Sequence, residues 1–307
     1  MMVQRLAITA MGAVLCLGAC AATTSSADAP RPANAFFAMD NGVGRGTWTA
    51  QKQAQTVKEL GYNGIGYNYT TPQAAAQWQR ELRQRGLKLF SLYFFAFPDK
   101  PQAQRYPAGL RETIQQLKGS DTIIWMTLRE TKDRKKTGYD DVCVKMVDEV
   151  ADWAKQSGLK VALYPHTGFY VATAEEAVRI VKQVNRPDVG VTVNLCHELM
   201  QNNASRLPQI VREAAPHLLL VTINGADAGG KPGGYIQRLD QGNYDMGGFL
   251  RLLHEVGYQG PIGLQCYAIK GDARENLEKS IAAWKRYQAA LSPAGKPPTG
   301  ASLPQRE

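Results

Sequence analysis

The chain is poor in the residues that most often announce a function. Histidine occurs four times in 307 residues and cysteine five times. The cysteines include no CxxC pair, so neither a zinc knuckle nor a disulfide framework is indicated. No GxGxxG and no GxxxxGK[ST] occurs, which removes the phosphate-cradling loops of open nucleotide-binding sheets. Acidic residues are outnumbered 27 to 36, leaving a formal charge of +9. Such a surplus attracts nucleic acid when it is clustered. The dense cluster here is Lys132, Arg134, Lys135 and Lys136, which reads as a solvated loop, and no nucleic-acid partner is expected. What is present in quantity is apolar sequence, 44% of the chain, enough to bury a substantial core.

At the N-terminus, Arg5 precedes an apolar run from Leu6 to Leu17 that is too short to span a bilayer as a resident helix. Leu17-Gly18-Ala19-Cys20 closes it with small residues and resembles a bacterial lipobox, whose cysteine is lipidated and becomes the mature N-terminus. That resemblance implies a signal peptide over 1–19 and a membrane anchor through lipidated Cys20. The protein would then sit in the cell envelope, facing the periplasm. Residues 20–34, rich in Ala, Thr, Ser, Asp and Pro, read as a flexible tether, and the Pro- and Gly-rich residues 292–307 as a disordered tail. With Cys16 removed and Cys20 lipidated, Cys143, Cys196 and Cys266 remain and are expected as buried free thiols.

Between 35 and 291 one pattern repeats. AFFAMD, GIGYNY, LKLFSLYFFAF, DTIIWMTLRE, LKVALYPH, VGVTVNLCH, HLLLVTINGAD and PIGLQCYAIKGD are short apolar runs, each followed by a segment with helical spacing. Helix starts are marked by Thr71-Pro72, by Thr173 with Glu176, and by Asp272 with Glu275; Gly61, Gly86 and Gly158 mark stops. Strand and helix alternating eight times predict a parallel sheet with helical crossovers. Closure into a single (β/α)8 TIM barrel fits the length, since that fold takes about 250 residues. A doubly wound open sheet is the alternative.

In a barrel of this kind the site lies at the carboxyl ends of the strands. The polar residues closing the apolar runs are Asp40 and Asn41, Tyr67 and Asn68, Tyr93, Arg129 and Glu130, Tyr164 and His166, Asn194 and His197, Asn224 and Asp227, then Gln265, Tyr267 and Lys270. Hydroxyls, amides and a few ionisable groups in a ring suit a polyol, whose hydroxyls need many fixed donors and acceptors. The expected ligand is a small sugar.

The order YPH, NLCH, NGAD and a polar residue at the eighth strand resembles the xylose isomerase-like TIM barrel superfamily, over about Ala35 to Leu291. Within it, the likeness is to exported bacterial proteins labelled sugar phosphate isomerase/epimerase. The resemblance implies an isomerase or epimerase of carbohydrate metabolism that moves a proton beside a carbonyl. It also implies a divalent metal held by Glu, Asp, His and Glu at the ends of strands five to eight. The matching positions here are Tyr164, Asn194, Asn224 and Gln265, none a carboxylate or an imidazole.

Glu130, His166 and His197 close consecutive runs and should share one arc of the rim, as a general acid and base set. Two readings stay open: metal-free proton transfer, or a Zn or Mn ion held by two imidazoles and a carboxylate with Gln265 or water. Arg129 and Lys270 are candidates to stabilise an enolate or hold an anionic substituent. Asp227 is equally a turn former, and either histidine equally a hydrogen-bonded structural residue. A keto-sugar lyase or hydratase and a non-catalytic sugar-binding lipoprotein are the alternative functions.

Overall fold

The computed structural model describes residues 34–130, 138–230 and 234–291. The signal peptide, Cys20, almost all of the tether, the basic cluster Lys132–Lys136 and the tail lie outside the described residues.

The strands are β1 (Phe36–Met39), β2 (Gly64–Asn68), β3 (Lys88–Ala96), β4 (Ile123–Leu128), β5 (Lys160–Leu163), β6 (Val189–Asn194), β7 (Leu218–Ile223) and β8 (Ile262–Leu264). They pair in parallel in chain order and β8 closes on β1, so the sheet is a closed barrel rather than an open one. The helices are α1 (Ala50–Leu60), α2 (Pro72–Arg83), α3 (Leu110–Gln116), α4 (Asp140–Gln156), α5 (Ala174–Val184), α6 (Leu195–Met200), α7 (Leu207–Ala214), α8 (Met246–Glu255) and α9 (Ala273–Leu291). None of the described helices is long and apolar enough to cross a membrane.

Local chemistry sets the boundaries. Thr49, Thr71 and Thr173 each accept the backbone N–H three residues on at 3.2 Å, capping α1, α2 and α5. Gly61 ends α1 with φ 88°, a left-handed turn that glycine adopts without steric cost. The sixth apolar run behaves differently from its sequence reading. Its strand stops at Asn194, and Leu195–Met200 coils into α6, which places His197 on a helical turn rather than on the strand.

Side-chain alternation divides the buried residues into two layers. Outward residues such as Ile124, Met126, Leu128, Val161 and Val191 pack under the helices, each contributing about 1.5–3 kcal/mol by leaving water. Inward residues Phe37, Phe90, Trp125, Ala162, Tyr164 and Leu220 fill the barrel. The large rings fit because other strands present no side chain beside them. A Cβ on Gly66 or Gly263 would come within 2.9 and 2.6 Å of the Phe37 ring. Cys143, Cys196 and Cys266 are buried and unpaired, as expected.

Candidate active site

The inward layer leads to a pocket of about 290 Å³, near the lower end of the range for small-molecule sites. Trp125, deep in the barrel, donates its indole N–H to Thr192 at 2.6 Å, which fixes the ring. Tyr164 meets it edge-on at 4.4 Å between centroids, and Tyr93 packs against Tyr164 at 4.9 Å.

The Tyr164 hydroxyl lies at the centre of a hydrogen-bonded chain. The oxygen of Gln265 accepts from Asn41 Nδ2 at 2.5 Å and from the backbone N–H groups of Cys266 and Tyr267 at 3.0 and 3.1 Å. An amide oxygen so engaged must turn its NH2 the other way, and Nε2 donates to the Tyr164 hydroxyl at 3.2 Å. The phenolic proton is then left for His197 Nε2, 3.4 Å away. Burial pushes the Tyr164 pKa well above the usual tyrosine value, so the group stays a phenol and a proton donor.

His166 follows Pro165 beyond β5. Its Nδ1 donates to the Thr167 carbonyl at 2.7 Å, which leaves the lone pair on Nε2. Phe169 stacks on its ring at 4.0 Å and 15°, held there by a turn whose Gly168 has φ 80°. The His166 and His197 ring centroids are 4.0 Å apart. Burial lowers the pKa of His166 and lowers that of His197 well below the usual histidine value, with the neighbouring His166 adding to it. Both imidazoles are therefore neutral near pH 7.

Asp40 lies on the same pocket, just past the end of β1, the strand facing β5 across the barrel. It pairs with Arg45 and accepts the Asn68 backbone N–H at 3.2 Å. Burial raises its pKa, and the Arg45 hydrogen bond and charge offset part of that.

Of the residues named from the sequence, Asp40, Asn41, Tyr67, Asn68, Tyr93, Tyr164, His166, His197, Gln265 and Tyr267 line this pocket. The others do not. Glu130 lies two residues beyond the end of β4 and is not among the residues that line the pocket beside the histidines. It is buried, and its charge acts on Cys143 of α4 and on Tyr170. The expected Glu130–His166–His197 set is thus reduced to its two histidines. Asn194 is fully buried below the pocket, and Asn224 donates to the carbonyls of Gly225 and Tyr235 at 2.7 Å each. Asp227 accepts from Gln237 Nε2 at 2.8 Å and from the Asn243 backbone at 3.2 Å, a loop-organising role. Lys270 is exposed beyond the lining, and Arg129 lies at the rim. Sequence reading missed Arg45, Phe95 and Trp125, which line the pocket. Trp125 and Phe95 share the inward parity of the residues at strand ends, a signal that was available. Arg45 stands too far into its loop for parity to reach.

The chain from Ala54 to Tyr287 matches the model of the xylose isomerase-like TIM barrel family. The protein belongs to that family. No curated protein sequence matches it. Among solved structures, it is similar to 3-keto-D-glucoside 4-epimerase from E. coli, at 14% identity and TM-score 0.67 over 83% of this chain and 99% of that one. D-psicose 3-epimerase from Clostridium cellulolyticum gives 16% identity and TM-score 0.64 over 83% and 99%. A family 2 AP endonuclease from Brucella melitensis gives 20% and 0.59 over 80% and 97%. At such identities the likeness establishes the fold.

The family's divalent metal does not fit the donors found here. Tyr164 is held as a phenol, Asn194, Asn224 and Gln265 are neutral amides, and Asn224 turns its NH2 to backbone carbonyls. Hard divalent cations require anionic oxygen ligands. The alternative of two imidazoles and a carboxylate loses its carboxylate because Glu130 is not among the residues that line the pocket. Among the described residues no three His, Cys, Asp or Glu side chains converge on one point.

Proposed function

We propose that this protein is a sugar isomerase or epimerase-like enzyme that moves a proton beside the carbonyl of a sugar or keto-sugar, without a metal ion. The observation carrying this reading is the pair of neutral imidazoles 4.0 Å apart on a pocket lined by phenols and amides. An imidazole kept neutral by burial is a base at neutral pH. In the proposed step His166 Nε2 takes the proton from the carbon next to the carbonyl. The C–H electron pair becomes the C=C bond of an enediolate, and the carbonyl oxygen takes the negative charge. The Tyr164 hydroxyl, oriented by Gln265, is the donor placed to stabilise that oxygen. A proton returned to the same carbon on the opposite face inverts it, whereas a proton returned to the neighbouring carbon, with the adjacent hydroxyl passing its proton to the enediolate oxygen, isomerises the sugar. That the similar structures include a keto-glucoside epimerase and a psicose epimerase supports the sugar assignment.

Because the histidines stand side by side, abstraction by one and protonation of a departing oxygen by the other on a single face is also geometrically suited, which is the lyase reading. One experiment separates the two. Incubation with aldoses, ketoses and keto-glycosides in D2O should give deuterium at the carbon beside the carbonyl, detected by NMR, and lose it in His166→Ala and His197→Ala. An absorbing enone in place of exchange indicates elimination. Binding without either product sinks the catalytic reading and leaves a sugar-binding protein. The lipobox-like Leu17–Cys20 supports anchoring in the cell envelope, facing the periplasm, and Cys20→Ser should release the protein from membranes.

A further inference from the structure

Among the described residues, the pocket wall and rim carry two guanidinium groups, Arg45 and Arg129, against one carboxylate on the wall, Asp40. Asp40 is matched by Arg45, and both histidines are neutral. Arg129, exposed at the rim beyond β4, forms no ion pair among the described residues. Its chain neighbour Glu130 is buried, is not among the residues lining the pocket, and acts on Cys143 of α4. The Arg129 guanidinium lies 5.4 Å from the ring of Phe95, which lines the pocket, and 5.1 Å from that of Phe169, which stacks on His166. The two rings keep the guanidinium beside the pocket, and its fork of N–H donors is of the kind that binds planar or tetrahedral oxyanions. Arg45 is a second, partly exposed guanidinium on the pocket wall and uses one N–H on Asp40. Tyr93, which lines the pocket, feels the positive charge of both arginines.

We infer that the sugar bound here carries an oxyanion, a carboxylate or a phosphate, and that Arg129 is the residue that recognises it, with Arg45 as the second contact. The inference rests on the proposed reading of the pocket as a sugar site and specifies which class of sugar enters it. A neutral sugar offers these guanidinium groups only ordinary hydrogen bonds, whereas an anionic one gains a bidentate, charge-assisted contact.

The test is calorimetric binding of three ligands with the same ring: a neutral hexose, the corresponding hexuronate, and the hexose 6-phosphate. Wild-type protein should bind one of the two anions about 10- to 100-fold more tightly than the neutral sugar, and which anion is preferred identifies the source of the charge. That ratio should fall to near unity in Arg129→Gln, with an intermediate value in Arg129→Lys, which keeps the charge but not the fork. Added salt should weaken the anion and leave the neutral sugar's affinity in place. Equal affinities for all three ligands in the wild type, no binding of any of them, or a preference that survives in the Arg129→Gln, Arg45→Gln double variant would each overturn the inference. Deuterium exchange is read separately. An anion preference without exchange defeats the proposed chemistry alone, and exchange of neutral sugars without a preference defeats this inference alone.

Discussion

Removing the hydroxyl of Tyr164 is the sharpest perturbation this site allows. Tyr164→Phe keeps the ring that packs against Trp125 and Tyr93 and deletes the atom between Gln265 Nε2 and His197 Nε2, at 3.2 and 3.4 Å. Both partners are 4% exposed, so water cannot freely replace the lost contact. A buried polar group left unsatisfied costs about 1–3 kcal/mol. Contacts this long belong at the lower end, so the pair should cost about 1–3 kcal/mol together. For a domain of this size that corresponds to a fall in Tm of roughly 2–12 °C. The effect on chemistry should be larger. Loss of a donor to a developing oxyanion costs about 10²- to 10³-fold in kcat. Calorimetry of unfolding and the deuterium-exchange rate at saturating sugar read the two effects independently. Chelation before the assay should leave the wild-type rate unchanged, because Tyr164, Asn194, Asn224 and Gln265 supply no anionic oxygen. A variant as stable and as active as the wild type would show that the hydroxyl is not central. Loss of wild-type exchange on chelation, with recovery on adding Mn or Zn, would refute the metal-free reasoning altogether.

Two further predictions concern the histidines. The folded-state pKa values of His166 and His197 are lowered, so below the ordinary histidine pKa of about 6.5 the unfolded chain binds protons that the folded chain does not. Their contribution is present above that pH and is lost as pH falls, with a limiting slope of about 1.4 kcal/mol per pH unit for each group. Glu198, raised by burial to about 7, works the other way: its contribution is present below about 4.5 and is lost as pH rises through about 7. Urea unfolding between pH 4 and 8 should therefore give a flatter acid limb in His197→Ala than in the wild type, and an unchanged limb would mean that its burial is not what depresses it. Phe169→Ala should open one face of the His166 ring and raise its titration midpoint toward the ordinary value, with roughly tenfold slower exchange. An NMR titration in which the midpoint stays put would show that Phe169 neither buries nor positions the imidazole.

Much of the barrel was legible in the chain because its signals are local. Alternating apolar residues, Thr71 before Pro72, Thr173 three residues before Glu176, and the stop at Gly61 act over one or two turns, and the same contacts appear in the folded protein. The run VGVTVNLCH misled, since its last residues form α6 rather than extending the strand. Apolarity alone does not distinguish a buried strand end from a buried helical turn.

The sequence by itself determined that eight strand–helix units make up this α/β fold, with histidines after the fifth and sixth strands. Its resemblance to the family implied that Tyr164, Asn194, Asn224 and Gln265 fall where metal ligands would be expected. Closure of the sheet was shown by the structure. Only the tertiary structure decided which of the strand-end residues meet. Glu130 and Arg129 are neighbours in the chain just past β4, yet one is buried with its charge acting on Cys143 of α4 and the other is exposed beside Phe95 at the pocket rim. Gln265 reaches Tyr164 across 101 positions because the closed sheet brings their strand ends together, and Arg45 reaches Asp40 through a loop that no periodicity governs. Periodicity encodes the face on which a residue lies, but the distances between side chains on different strands are set by closure of the sheet and by loop conformation, which are non-local.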